Sequence, residues 1–257
     1  MCGMDLHFDE SLAEGYHSIS QKVRVMSESW VLRNVYCPKC GRSVLTKHAN
    51  NYPVGDFFCE DCRADYEVKS KKGHFSSRIT DGAYGTMIER ITSVNNPNLL
   101  ALNYVHFEVR DLFVVPNYFF TPQIIERRNR LSMKARRSGW VGCNILLSDL
   151  PEYGRIYLVR NGECIEKQKV VEHFKKTLAF ETSDIKRRGW MFDVLKCVER
   201  IKTDEFNLEQ VYAFEGELAI KHPENNFVKA KIRQQLQVLR DKGFIEPVSR
   251  GRYRKIM

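Results

Sequence analysis

Four cysteines in two Cys-x-x-Cys pairs, Cys37/Cys40 and Cys59/Cys62, constrain this chain more than any other feature. Eighteen residues separate the pairs. The tight turn inside each pair brings its two sulfurs together. Two pairs then complete a tetrahedral four-thiolate shell with no open position, so the implied Zn²⁺ is structural rather than catalytic. The other cysteines, Cys2, Cys143, Cys164 and Cys197, carry no spacing signal. The N-terminus (MCGMDLHFDE) has no apolar stretch of the secretory kind, and no run approaches the ~20 apolar residues needed to span a bilayer. The expected setting is cytoplasmic, without membrane attachment, and there the cysteines are thiols or metal ligands rather than bridges.

Charge points to a polyanionic partner. The net charge is +9, and it is uneven. Residues 186–257 carry 16 Lys+Arg against 10 Asp+Glu, hence +6, whereas the much longer stretch 1–185 carries 25 against 22, hence +3. The pattern of elements changes at the same place. Residues 10–35 read as mainly helical, 66–69 as a strand, 81–92 as a short helix, and 99–104, 112–115 and 155–159 as strands. Thr121-Pro122 resembles a helix start and predicts a basic helix over 123–130. An amphipathic helix follows at 168–180. After a boundary near 183–188 come helices at 190–201, 207–219 and 227–241. Two short strands around Ser249-Arg250-Gly251 complete the order of a winged helix-turn-helix. An α/β or α+β domain over residues 1–183 and a winged helix over 184–257 are therefore expected.

The acidic residues near the knuckles suggest chemistry. Strand alternation puts Glu67 and Lys69 on one face. Asp56, with ten residues between it and Glu67, can lie beside them on a neighbouring strand. Two carboxylates and a lysine on one sheet surface are the minimum PD-(D/E)xK kit. Asp56 and Glu67 would hold Mg²⁺, helped by the Val68 carbonyl, and Lys69 would orient or activate the attacking water. Alone, the D-x10-E-x-K spacing is a weak signal, because charged strand residues are usually a solvated face. Lys71 and Lys72 add phosphate-binding capacity. On the third C-terminal helix, Arg233, Gln234, Gln237 and Arg240 lie away from the apolar positions Val228, Ile232, Leu236 and Leu239, and Arg and Gln suit guanine and adenine edges in a major groove. Arg250, Arg252 and Arg254 would form a wing on phosphates. Arg136 and Arg137 flank Trp140, whose ring accepts a methyl group by apolar burial.

Together these residues resemble the DpnI family of methyl-directed restriction endonucleases, nearly end to end. The resemblance runs through Asp5-Leu-His-Phe8, the knuckles, Glu67-Val-Lys-Ser-Lys-Lys-Gly73 and Asp81-Gly-Ala-Tyr84. It continues through Asn95-Asn-Pro-Asn98, Ala135-Arg-Arg-Ser-Gly-Trp-Val-Gly-Cys-Asn144, Arg187-Arg-Gly-Trp190 and residues 231–242. It implies a PD-(D/E)xK nuclease core with a zinc-binding insertion, then a winged helix. It also implies Mg²⁺-dependent cleavage of double-stranded DNA at GATC carrying N6-methyladenine. Catalysis carries over to Asp56, Glu67 and Lys69, zinc to the four knuckle cysteines, and the methyladenine pocket to Trp140. The family start aligns with Met4, so Met1-Cys2-Gly3 reads as an extension. One active site cuts one strand, so duplex cleavage needs two protomers or sequential nicking; the sequence leaves the oligomeric state open, with a monomer in solution among the options. The competing expectation is a zinc-containing winged-helix transcription regulator without nuclease activity, which has no need of Asp56, Glu67 and Lys69.

Overall fold

The computed structural model describes residues 3–49, 52, 55–93, 96–182 and 184–256. Met1, Cys2, Asn95, Ser183 and Met257 lie outside them, and with them the expectations on the chain start, the first residue of the 95–98 segment, the boundary at Ser183 and the last hairpin residue. After a 3-10 turn at Glu10–Ala13 come helix α1 (Ile19–Asn34) and strands β1 (Thr46–Lys47), β2 (Phe57–Phe58), β3 (Asp65–Lys72) and β4 (Arg78–Ala83). Helix α2 (Tyr84–Thr92) leads to β5 (Asn98–Val105), β6 (Glu108–Val115), β7 (Ile125–Arg127) and β8 (Gly142–Leu146). Then follow β9 (Ile156–Arg160), β10 (Glu163–Cys164) and α3 (Lys167–Thr177). The rest is α4 (Ile185–Arg200), β11 (Glu205–Asn207), α5 (Leu208–Tyr212), α6 (Glu215–Lys221), α7 (Val228–Asp241), β12 (Ile245–Ser249) and β13 (Arg252–Lys255). Among the described residues no helix is long and apolar enough to cross a membrane.

A mixed sheet of order β1-β2-β3-β5-β6-β9-β10 forms the centre, antiparallel except for the β3–β5 pair. Strand alternation splits it into two faces. Tyr66, Leu100, Leu102, Leu112, Val114 and Leu158 pack with Met26 and Trp30 of α1, with Phe174 of α3, and with Cys37 and Cys59. The intervening residues Leu99, Ala101, Phe113 and Val115 face the other way. There they meet Met87 and Ile91 of α2 and a second sheet of order β4-β8-β7. Glu67 and Lys69 alternate with Tyr66 and Val68, so they belong to this second face.

The knuckles are one turn used twice. Cys37 N–H donates to the Arg42 carbonyl and Gly41 N–H back to Cys37, both at 2.8 Å. Cys59 to Ala64 and Arg63 to Cys59 repeat this at 2.9 Å. In each turn the residue after the second cysteine is left-handed, Gly41 at φ 85° and Arg63 at φ 56°. Only the first is a glycine, so the second turn carries a steric penalty of ~1 kcal/mol.

Three expectations are corrected. The basic helix over 123–130 does not form. One 3-10 turn at Pro122–Ile124 gives way to β7, because Ile124 and Ile125 are both buried and Ile125 pairs with Ile145 of β8. The helix over 207–219 breaks into α5 and α6 at Ala213 and Phe214, and its first residue instead ends strand β11. The helix over 81–92 begins only at Tyr84, its first residues forming β4.

Beyond residue 184, helices α5–α7 and a three-stranded sheet of order β11-β13-β12 form a helix-turn-helix unit with a hairpin. This unit is not hung on a free tether. Helix α4 is buried almost all round, from Arg188 to Val198. Phe192 stacks on Phe119 at 4.5 Å, and Phe244 stacks on Phe180 at 4.2 Å. Lys196 reaches Asp149 at 2.9 Å, and Glu199 accepts from the N–H groups of Glu152 and Tyr153 at 2.8 Å each.

Two outcomes follow. Arg63→Gly should raise the melting temperature by a few degrees, equivalent to ~0.5–1 kcal/mol, while Gly41→Ala should lower it; equal or inverted signs in a thermal melt would contradict the turn geometry. Phe180→Ala removes a fully buried ring from the shared aromatic cluster, at a cost of about 3–5 kcal/mol. Calorimetry should show both parts of the chain melting earlier together; a shift confined to one of two separate transitions would refute the shared core.

Candidate metal centre, active site and DNA-facing surfaces

The four knuckle sulfurs lie within 4.8 Å of one another, the one such metal-ligating cluster among the described residues. Cys37 Sγ is 3.6 Å from Cys62 Sγ, and Cys40 Sγ is 3.5 Å from Cys59 Sγ. A disulfide requires ~2.05 Å, so these are not bonded pairs. Thiolates ~2.3 Å from a tetrahedral ion are about 3.8 Å apart, close to what is found. Burial pushes the Cys37 thiol up to about 11, so its thiolate needs a cation beside it. The Tyr66 hydroxyl lies 3.1 Å from Cys37 Sγ, and Arg42 ties Asp61 and Glu60 of the second knuckle to the first.

The knuckles open directly onto the carboxylates. Asp56 precedes β2, which pairs with the start of β3 through Phe57–Tyr66 and Phe58–Asp65. Asp56 N–H donates to the Tyr66 carbonyl at 2.9 Å, and Asp56 Oδ2 accepts from Val68 N–H at 2.8 Å. The N–H and carbonyl of a strand residue point to the same side, so the Val68 carbonyl faces this edge too. Burial raises the Asp56 carboxyl above its ordinary value, and the charges of Glu67 and Glu28 push the same way, against the Val68 hydrogen bond. Glu28, on α1, is held by Arg24 and Lys47. Such crowding of carboxylates is what a bound cation relieves, and their hard oxygens suit Mg²⁺.

Lys69 Nζ lies 2.6 Å from Glu67 Oε1 and 2.6 Å from Asp81 Oδ1. Burial alone would lower the Lys69 amine, but the charges of Glu67 and then Asp81 outweigh it and hold the amine well above its ordinary value. Arg90 of α2 reaches the second Glu67 oxygen at 3.1 Å. Asp56, Glu67 and Lys69 are thus brought to one place. Sequence reasoning missed Asp81, Arg90 and Glu28 as members of it. Asp81 stood inside a quoted segment, beside a glycine, but no spacing tied it to Lys69. Lys71 and Lys72 are exposed at the far end of β3.

Strand β4 pairs with β8, and the β7–β8 connection carries the predicted cluster 134–142. Its stem continues as a hairpin: Arg128 N–H to Gly142 at 3.0 Å and Leu131 N–H to Trp140 at 2.9 Å. Arg136 and Arg137 are exposed. The Trp140 ring lies on Gly142, where any Cβ would come within 2.8 Å of it, and the Arg137 guanidinium sits 5.2 Å from the ring centroid. The glycine therefore seats the tryptophan itself.

On α7, Val228, Ile232, Gln235, Leu236 and Leu239 are buried. Arg233, Gln234, Gln237 and Arg240 are exposed, with Arg233 on the Tyr212 hydroxyl and Arg240 paired to Asp241. In the hairpin, Arg250 and Arg252 are exposed, and no ion pair involves them among the described residues. Arg254 differs. It is held between Glu205 at 2.7 Å and Glu246 at 2.9 Å, its partners on the two flanking strands, so it braces the hairpin rather than offering an open charge.

Comparison with known families gives two matches. Residues 4–183 match the model of the DpnI, Dam-replacing family, and residues 186–255 match its C-terminal Dam-replacing helix-turn-helix domain. With both matched regions in sequence along one chain, the protein belongs to the DpnI, Dam-replacing family.

Proposed function

We propose that the protein is a type II, methylation-dependent restriction endonuclease. It would cleave double-stranded DNA at GATC containing N6-methyladenine, by Mg²⁺-dependent phosphodiester hydrolysis. The observation that carries this reading is the meeting of Asp56, Glu67 and Lys69 at one edge of β3, in a chain of the DpnI, Dam-replacing family. A transcription regulator has no use for two carboxylates and an ammonium, all half-buried, meeting at one strand.

Residues 1–183 are read as a PD-(D/E)xK nuclease domain and 184–257 as a winged helix that binds DNA beside it. Mg²⁺ held by Asp56, Glu67 and the Val68 carbonyl would neutralise phosphate charge and make bound water a better nucleophile. Lys69 is the cation that holds the attacking water and faces the developing charge on phosphorus. Water adds to phosphorus through its oxygen and releases a proton to solvent, one P–O bond breaks, and the departing oxygen takes up a proton from solvent. Cys37, Cys40, Cys59 and Cys62 would hold Zn²⁺ with all four positions filled by thiolates, so that its part would be to brace the Asp56 loop. Lys71, Lys72, Arg136, Arg137, Arg250 and Arg252 would meet phosphates. Arg233, Gln234, Gln237 and Arg240 would read base edges, and Trp140 would cover the methyl group. The reading places the enzyme in the cytoplasm, acting on incoming methylated DNA.

The purified protein with Mg²⁺ should linearise or fragment plasmid from an adenine-methylating host and spare the same plasmid from a non-methylating one. Equal resistance of both would refute a nuclease, and equal cutting would refute methyl dependence. Lys69→Ala should lower cleavage by at least about 100-fold while leaving binding of methylated duplex within a few-fold. Full cutting by that variant would remove Lys69 from the reaction.

A further inference from the structure

Asp81 has no assigned role, yet its geometry is that of a working part of the site. Its side chain is only 6% exposed, and Oδ1 accepts from both Lys69 Nζ and the Gly82 N–H at 2.6 Å. It comes from the second sheet, not from the strand that carries Glu67 and Lys69. The register of β4 against β8 shifts between Asp81 and Ala83, opposite Cys143 and Gly142. The extra residue is Gly82, so Asp81 keeps the strand alternation that puts it on the same face as Ile79, which is buried against the main sheet.

Glu67 and Asp81 divide the labour differently. Glu67 is already shared between Lys69 and Arg90, and any cation it holds draws on the same oxygens. Asp81 stands outside the pair Asp56 and Glu67. It is therefore the arm that holds Lys69 whatever Glu67 is doing. The same strand pairs with β8, the strand that leaves the hairpin presenting Arg136, Arg137 and Trp140: Asp81 faces Cys143 in register, and Tyr84 N–H donates to the Val141 carbonyl at 3.0 Å.

We propose that Asp81 is the positioning residue for Lys69, fixing its ammonium from the strand that also supports the basic hairpin. This rests on the nuclease reading above. A half-buried long-chain amine held by two acceptors has one geometry, and held by one it has several. Misplacement by about 1 Å costs on the order of 100-fold in rate.

The test compares wild type, Asp81→Ala and Asp81→Asn on a methylated duplex. It measures kcat and KM with Mg²⁺, duplex binding in the presence of a chelator, and the melting temperature. Asp81→Ala should lose about 100-fold in kcat with KM and binding within about twofold. Asp81→Asn, which keeps an acceptor oxygen, should recover part of that loss. Cleavage by Asp81→Ala within threefold of wild type overturns the proposal. So does loss of binding and melting temperature in step with kcat in both variants, which would mark a structural role. Should Asp81→Ala fail to fold, a folded Asp81→Asn with wild-type kcat overturns it equally. If wild type itself does not cut, the nuclease reading fails first, and the control arm separates that result from a failure of Asp81.

Discussion

A two-residue strand cannot hold itself in place, yet β2 decides where Asp56 sits. Its pairing with β3 spans only Phe57–Tyr66 and Phe58–Asp65. What keeps it there lies on either side: the second knuckle begins at Cys59, and the Tyr66 hydroxyl meets Cys37. The cysteine cluster therefore acts on Asp56 at one remove. It fixes two turns, the turns fix a short strand, and the strand delivers the Asp56 carboxylate to the Val68 N–H. The crowding of Asp56 and Glu67 presumes that delivery, whereas the clamp on Lys69 is built from β3 and β4.

The legible parts of this chain were those with local chemical signatures. The knuckles could be read because thiolate pairs have a fixed spacing, and the facing of Glu67 and Lys69 because strand alternation is geometric. The third C-terminal helix could be read because its apolar positions recur at helical intervals. What could not be read depends on partners distant in sequence. Pro122 signals a helix start equally well whether a helix or a single turn follows, and only Ile145, twenty residues away from Ile125, decides for a strand. Asp81 is one acid among many until β4 and β8 pair. Arg254 resembles its neighbours Arg250 and Arg252 until Glu205 and Glu246 arrive on either side.

The contact between the two halves of the chain bears on how DNA would be read. Aromatic rings interlock across it, the Lys196–Asp149 ion pair bridges it at 2.9 Å, and a buried charge network in the second half backs it. Asp193 is nine-tenths buried and holds both Lys221 and His222 at 2.8 Å, with Trp190 stacked on His222 at 3.8 Å. Lys221 also approaches Asp149 of the first half at 3.7 Å. Breaking such a network leaves buried charge unpaired, which costs several kcal/mol. Helix α7 is thereby held in a fixed relation to the first half of the chain, so a partner bound by both would meet a set geometry rather than an adjustable one.

Past Tyr66 the outer edge of β3 has no partner strand among the described residues, only the Asp56 side chain on Val68. An uncovered strand edge is an invitation to pair with another chain, and proteins commonly deter this with lysines at the edge. Lys71 and Lys72 stand at that end. Those two charges would thus keep one copy of the protein from adding its strand to another, so that neutralising them would cost solubility.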